Sequence, residues 1–203
     1  GALARLARHL PARLKAEKTR LLHEALALSR KVNGPEHRVT LDLLAEVALF
    51  ESRAGDPQEA VRLYQEQLLP LALRTAGPEA PETFHFQMQQ AEALARAGRV
   101  EDALALAEAT MPRVRARLDA LTSFNPINSL AFIYSAVPDG RRRDEAIELR
   151  QESLRIVRQY RPECPTTVHA MMDLARELTT AGRHAEALRW YAELAPLSRR
   201  VFG

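Results

Sequence analysis

Short side chains recur along this chain at a nearly constant interval. Ala60, Ala103, Ala146 and Ala187 lie 43, 43 and 41 residues apart. Each closes a similar hexapeptide: GDPQEA from Gly55, GRVEDA from Gly98, RRRDEA from Arg141 and GRHAEA from Gly182. A second series, Ala48, Ala91, Ala131 and Ala175, precedes the first by 12 residues in three units and by 15 in the unit of Ala131. The three extra residues fall in Pro138 to Arg143, where Pro-Asp-Gly predicts a turn. Between units stand GPEHRVTL from Gly34, GPEAPETF from Gly77, FNPIN from Phe124 and RPECPTTV from Arg161. The pattern predicts a repeating unit of punctuation, a helix A of about 15 residues, a tight turn and a helix B of about 18.

The fixed alanines have a physical reason. Two helices cross closely only where side chains are short, so Ala48 is expected to face Ala60, with the corresponding pair in each later unit. Leu63, Leu106, Leu149 and Trp190 follow three residues later on the same stripe of helix B. Pro35, Pro78 and Pro162 separate one helix from the next, whereas Pro70, Pro112 and Pro196 fall inside B helices and are expected to kink or interrupt them. The boundaries that result are 1–34 for N-terminal helices and a partial repeat, then repeats at 35–77, 78–121, 122–161 and 162–203, forming one continuous all-α domain. A short helix is expected around Leu3 to Leu10.

Composition strengthens this reading. The chain has 203 residues, 46% of them hydrophobic but only 5% aromatic, and Ala, Leu, Arg and Glu dominate. Such an excess of helix formers over β-branched and aromatic residues excludes a sheet-based domain. The net charge of +3 is carried by Arg, with Lys15, Lys18 and Lys31 the only lysines, and the one tight basic run is Arg141 to Arg143. A nucleic-acid binder gathers basic charge on one face, so nucleic acid is not expected as a partner. The tri-Arg turn reads either as a knob for an acidic partner or as a solvated loop beside Asp139 and Asp144. No apolar run approaches the ~20 residues of a membrane span, and the N-terminus lacks a cleavable-signal pattern. Cys164 is the single cysteine, so neither an intrachain disulfide nor a cysteine-based zinc site is expected, and a cytoplasmic setting fits.

The unit Thr40-Leu41…Ala48…Gly55-Asp56…Glu59-Ala60…Leu63-Tyr64…Gly77-Pro78-Glu79 resembles the tetratricopeptide repeat. More narrowly, it is similar to the 42-residue variety of kinesin light chains and of many bacterial signalling proteins. The resemblance runs from about Lys18 to the end. It implies stacked antiparallel helix pairs in a right-handed superhelical solenoid, with the A helices lining a concave groove that binds protein or peptide, and it implies no catalytic residues. Departures exist. Leu121 to Asn125 replaces the usual punctuation of the third unit. The paired asparagines that light chains favour are approached only by Asn128-Ser129, so the light-chain ligand preference does not transfer. The internal prolines resemble repeats attached to bacterial nucleotide-binding switch proteins.

Helical spacing gathers four stripes on the A helices: Asp42, Glu46, Leu49 and Arg53; His85, Gln89, Glu92 and Arg96; Asn125, Ser129 and Phe132; His169, Asp173, Arg176 and Thr180. In a superhelix these project into the groove, and their mixed character suits an extended peptide carrying both charge signs. The alternative is a solvated face whose charges pair along the helix, as Glu92 and Arg96 can at i,i+4. His85 and His169 share a repeat position, but neither has a companion ligand at metal spacing, and no catalytic, phosphate-binding or metal motif occurs in the chain, so no cofactor and no enzymatic activity are expected. Gln90 and Glu51 stand where sibling units carry apolar residues. Either they meet in the seam between two A helices and satisfy each other, or both reach the groove edge.

The closing Ser198 to Gly203 nearly repeats Ser29 to Gly34, 169 residues earlier, which leads to the expectation of a fragment or C-terminal module. The function expected is a protein- or peptide-binding scaffold within a larger bacterial signalling or regulatory protein. Two alternatives stand beside it: a ligand-sensing arm of a nucleotide-switching ATPase or Ser/Thr kinase, and a structural module that self-associates through its solenoid ends.

Overall fold

In a computed structural model, which describes residues 12–117 and 119–203, the breaks between helix-forming stretches fall where the punctuation predicts except in the third unit, and no strand occurs among the described residues. The short helix expected around Leu3 to Leu10 lies outside them. The chain divides into two compact units at Thr110 and Met111. In the first, α1 (Ala12–Asn33) packs on α2 (Arg38–Ala54). Helix α2 packs in turn on α3 (Pro57–Leu63), which continues as a π-helical segment (Tyr64–Leu68) and α4 (Leu69–Thr75). Helix α5 (Pro81–Arg96) lies against α3 and α4, and α6 (Val100–Arg117) begins in this unit and ends in the second. In the second unit α7 (Ala120–Ser135) packs on α8 (Arg143–Tyr160), α8 on α9 (Pro165–Thr180) and α9 on α10 (His184–Phe202).

All eight alanines of the two series are buried. With only a Cβ at each crossing, the helices of a hairpin approach closely enough for larger neighbours to interlock around them. Leu44, Val47 and Ala48 form the buried side of α2. Leu63 and Leu149 are buried as the pattern requires, whereas Leu106 and Trp190 are half-buried. Trp190 packs against the second unit's core and lies beneath the Arg158 guanidinium, 5.1 Å from the ring centroid.

Successive helices are also clasped by a threonine that the punctuation contains. Thr40 Oγ1 donates to Gly34 O at 2.8 Å, Thr83 Oγ1 to Gly77 O at 2.7 Å, and Thr167 Oγ1 to Arg161 O. All three threonines are buried. Each ties the first turn of an A helix to the end of the preceding B helix and satisfies a carbonyl there. The third unit has Ser123 in that register, its hydroxyl donating to Asp119 O at 2.8 Å, and its punctuation is not where the sequence places it. Helix α7 begins at Ala120, with Asp119 Oδ1 accepting the Thr122 N–H at 2.7 Å, and runs through Phe124, Asn125 and Pro126. The boundary drawn between residues 121 and 122 therefore falls inside a helix. A capping aspartate outweighs a proline seven residues later, because it supplies a partner to an N–H that the helix leaves free.

The internal prolines differ among themselves. Helices α6 and α10 continue through Pro112 and Pro196, so of the expected kink or interruption the interruption does not occur there. Only ahead of Pro70 does the helix change form, where the Leu69 N–H bonds to Tyr64 O, five residues back. Pro70 lies ten residues beyond its alanine, but Pro112 and Pro196 lie nine beyond theirs. The π segment thus absorbs a one-residue insertion and keeps the rest of the helix in register.

Glu51 has a comparable explanation. In the second and fourth units a left-handed glycine ends helix A. There Arg99 N–H bonds to Leu94 O and Arg183 N–H to Leu178 O, both at 2.9 Å. Gly55 instead has φ −102°, and the matching N–H, that of Asp56, bonds to Glu51 Oε2 at 2.8 Å. Glu51 Oε1 lies 3.3 Å from His23 Nε2. The carboxylate thus replaces the missing carbonyl contact, so of the two readings of Glu51 and Gln90, pairing with each other or reaching the groove edge, neither describes Glu51, which is buried and bonded to Asp56 and His23. A Cβ on Gly55 would lie 1.9 Å from Glu51 Oε2. Gly55→Ala is expected to destabilise the protein by about 1–3 kcal/mol through this collision, and Glu51→Ala by about 1 kcal/mol through the orphaned N–H. Urea unfolding of both variants checks this, and the double variant should cost less than the sum, since the collision needs the carboxylate.

Candidate functional site

The A-helix residues in the first unit do not form one solvated stripe. Asp42 and Glu46 are exposed, and Asp42 pairs with Arg38 one turn back at 3.1 Å. Leu49 is half-buried. On α5, Gln89 and Glu92 are only 7% and 5% exposed. Glu92 Oε1 accepts Arg96 Nη2 at 2.8 Å and stands 3.4 Å from Arg53 Nε on α2. One carboxylate is thus shared by two largely covered guanidiniums, and the i,i+4 pairing foreseen for Glu92 and Arg96 is present. The sequence placed Arg53 on a different stripe and did not join it to them.

His85 and Tyr64 border this trio. Burial, reinforced by the Arg53 charge, holds the His85 imidazole below its ordinary value, which keeps it neutral near pH 7. The Tyr64 hydroxyl is raised by burial first and by Glu92 second. Its ring stands 6.3 Å from that of Phe86, so the neighbourhood is a polar cluster on an aromatic floor.

In the second unit Asn125 is exposed and Phe132 half-buried, but Ser129 is only 4% exposed and faces protein. Of the residues expected to line the groove, Gln89, Glu92 and Ser129 are thus buried, which a single-helix projection does not reveal. His169 stacks near Phe202, with ring centroids 6.2 Å apart. Asp173 pairs with Arg176 on α9, which stays half-exposed, and lies 4.0 Å from Arg150 Nη1 on α8. Thr180 is exposed, with its hydroxyl donating to Arg176 O at 3.0 Å.

Arg150 was missed by the sequence reading. It is buried, donates to Asn128 Oδ1 at 3.0 Å, and Asn128 Nδ2 reaches Ser153 Oγ at 2.6 Å. The signal existed: Arg150 takes the register of Tyr64, Ala107 and Tyr191, where every sibling is apolar or aromatic. A second polar link joins Ser135 Oγ to Glu177 Oε2 at 2.7 Å, and Arg143 Nε stands 3.7 Å from the same carboxylate. The Arg142 guanidinium lies 3.8 Å over the Tyr134 ring and also bonds Glu145. Two arginines of the basic turn are therefore engaged inside the unit, which removes the reading of that turn as a free basic knob.

Among the described residues no three His, Cys, Asp or Glu side chains converge as a metal site, and no helix is long and apolar enough to cross a membrane. What the surface offers is bonding capacity: exposed Asp42, Glu46 and Arg176, half-buried His85, Phe132 and His169, each set on a helix fixed by its neighbour.

Family models described as Tetratricopeptide repeat match residues 128–200 and 13–38. None of the curated proteins matches the chain. Two crystal structures of nearly identical TPR-like repeats, ascribed to a kinesin light chain of Podosopora anserina, are similar to it. One has a TM-score of 0.62 at 25% identity, covering 98% of this chain and 92% of that one. The other has a TM-score of 0.59 at 25% identity, covering 98% and 93%.

Two outcomes follow from the buried cluster. Glu92→Ala is expected to cost about 2 kcal/mol or more, somewhat below the roughly 3–5 of a fully buried pair because both guanidiniums keep some water. Denaturant unfolding measures it, and Arg53→Met with Glu92→Met together should cost less than Glu92→Ala alone. For His85 the folded-state pKa is depressed, so the unfolded chain takes up the proton first. Its contribution to stability is intact above about pH 6.5 and is lost as pH falls below that value. His85→Gln should therefore flatten the fall in melting temperature between about pH 7.5 and 5.

Proposed function

We propose that this chain, which belongs to the tetratricopeptide repeat family, binds extended segments of partner protein on the A-helix surface of each of its two units. A repeat of this family is a protein-interaction scaffold, and the A-helix reading is the finer step. It rests on one observation above others: on α9 the exposed Arg176 is held by half-buried Asp173, which in turn lies 4.0 Å from buried Arg150. Side chains whose rotamers are already restrained lose little entropy when a ligand arrives, which is what a preformed binding surface requires. The chemistry is passive: on the first unit basic groups of a ligand meet Asp42 and Glu46, and on the second an acidic group meets Arg176 while apolar side chains meet Phe132 and His169. The proposal includes no catalysis. It places the chain as a cytoplasmic module of a signalling or regulatory protein, in which its role is to bring the partner to whatever it is joined to.

The structure alters the choice of variants for a test. Glu92 is structural, so its loss confounds binding with folding, whereas Asp42 and Arg176 are exposed and removable. Full-length chain is panned against a random peptide library displayed on phage, and the selected peptides are measured by calorimetry. Asp42→Ala or Arg176→Ala is expected to weaken the selected peptides roughly ten-fold, as befits a single interfacial charge contact, while Arg155→Ala, exposed on a B helix, leaves them unchanged. Binding that survives both A-helix variants and is lost with Arg155→Ala overturns the assignment.

A further inference from the structure

The buried polar groups around Glu92 do not all satisfy one another. Tyr64 is 1% exposed and Gln89 is buried, yet neither the Tyr64 hydroxyl nor the Gln89 amide has a hydrogen-bond partner among the described residues. Neither tip is fully sealed from solvent. Arg53, with a side chain 19% exposed, makes no hydrogen bond among those residues either; its contact with Glu92 is an ion pair through Nε at 3.4 Å. Burying a hydroxyl and an amide without partners is costly, and native interiors rarely do it. At the register of Tyr64 in the second unit the need is met internally, since Arg150 donates to Asn128 at 3.0 Å.

These groups belong to one place in the first unit. Helix α2 supplies Arg53, the π-helical segment Tyr64, and α5 supplies His85, Gln89 and Glu92 at spacings of four and three that keep them on one side. The three elements pack on one another. The charges of Arg53 and Glu92 act on both Tyr64 and His85, and Gln89 lies between His85 and Glu92 on its helix. The residues that match Tyr64 and Gln89 in the second unit, Arg150 and Asp173, stand 4.0 Å apart.

Charge selects the occupant. Arg53 and Arg96 set two positive charges against the single carboxylate of Glu92, and His85 is neutral near pH 7. Glu82 also reaches His85 but is exposed to water. The covered groups therefore keep one positive charge, and guanidinium, hydroxyl and amide all donate hydrogen bonds. A carboxylate, singly charged and acceptor-only, satisfies both requirements, whereas a phosphate dianion brings one charge too many.

We propose that this site takes the side-chain carboxylate of an Asp or Glu in the bound segment, with Arg53 supplying the charge and Tyr64 and Gln89 donating hydrogen bonds. It rests on the A-helix reading above and adds a pattern to the ligand. Glu46 lies seven residues before Arg53 on the same side of α2, about 10 Å along the axis, which an extended chain spans in about three residues. The first unit thus selects a basic residue three positions from an acidic one.

End-blocked synthetic peptide pools test this on the full chain by fluorescence anisotropy. One pair of pools fixes Lys and Glu three positions apart, in either order, among random residues; a second pair has Gln for Glu. The Glu pools are expected to bind roughly ten-fold more tightly, as hydrogen bonds to a charged group require. Arg53→Gln should abolish that preference. Tyr64→Phe and Gln89→Leu should each reduce it, with urea unfolding no easier than in the parent, because neither group has a partner in the protein to lose. A Gln pool with a free C-terminal carboxylate should stay at the weaker level. A Glu preference that survives all three variants, or a chain-end carboxylate that binds as well as the Glu pools, overturns the proposal. Glu and Gln pools that bind alike, and are both weakened by Glu46→Ala, overturn the carboxylate site and leave the A-helix surface standing; pools that do not bind at all overturn both.

Discussion

The close crossing of two helices at a pair of alanines is the constraint on which the rest of this fold depends. A buried alanine on each helix sets the distance between the axes, and with that distance fixed only certain neighbours fit. Leu44 and Val47 beside Ala48, or Leu174 and Met171 beside Ala175, fill the space around a contact that is itself almost featureless. The turn between the helices must then be short, and the threonine clasp from Thr40, Thr83 or Thr167 fixes where the next hairpin begins. Burial of small apolar surface, repeated, thus positions every polar group discussed above.

Because the crossings hold register, the chain accommodates irregular lengths locally. An extra residue becomes a π turn at Tyr64–Leu68, and three extra residues become the turn at Pro138–Gly140, where Asp139 takes a left-handed φ of 62°. A glycine that does not adopt the left-handed conformation, Gly55, is matched by a glutamate whose carboxylate does the work of a carbonyl. In each case the deviation ends within one turn, since shifting a crossing alanine would cost more than distorting the backbone beside it.

The polar groups obey the same hierarchy. Glu92 with Arg53 and Arg96, and Asp173 with Arg150 and Arg176, each place one carboxylate between two arginines drawn from different helices. Such trios stiffen the A-helix surface. They engage four of the 26 arginines of the chain.

The period, the hairpin, the alanine crossings and the turn with its insertion were all legible in the sequence, because each depends on residue size and backbone freedom, which are local properties. The stripe assignments were legible only in part. Helical projection tells which residues share a side of one helix, but the burial of Gln89, Glu92 and Ser129 is a property of the folded surroundings that no single stripe encodes. The π turn was hinted at by a proline one residue out of step, yet whether a proline kinks, widens or leaves a helix intact depends on the packing around it, as Pro112 and Pro196 show against Pro70. The partners of Arg150 and Glu51 were likewise settled only in the tertiary structure, since a charge at an apolar position declares a need for a partner without naming it. Residue size and spacing by themselves determined the repeat and its crossings. The direction in which each polar side chain turns was decided by the folded neighbours that exclude water from one side of it.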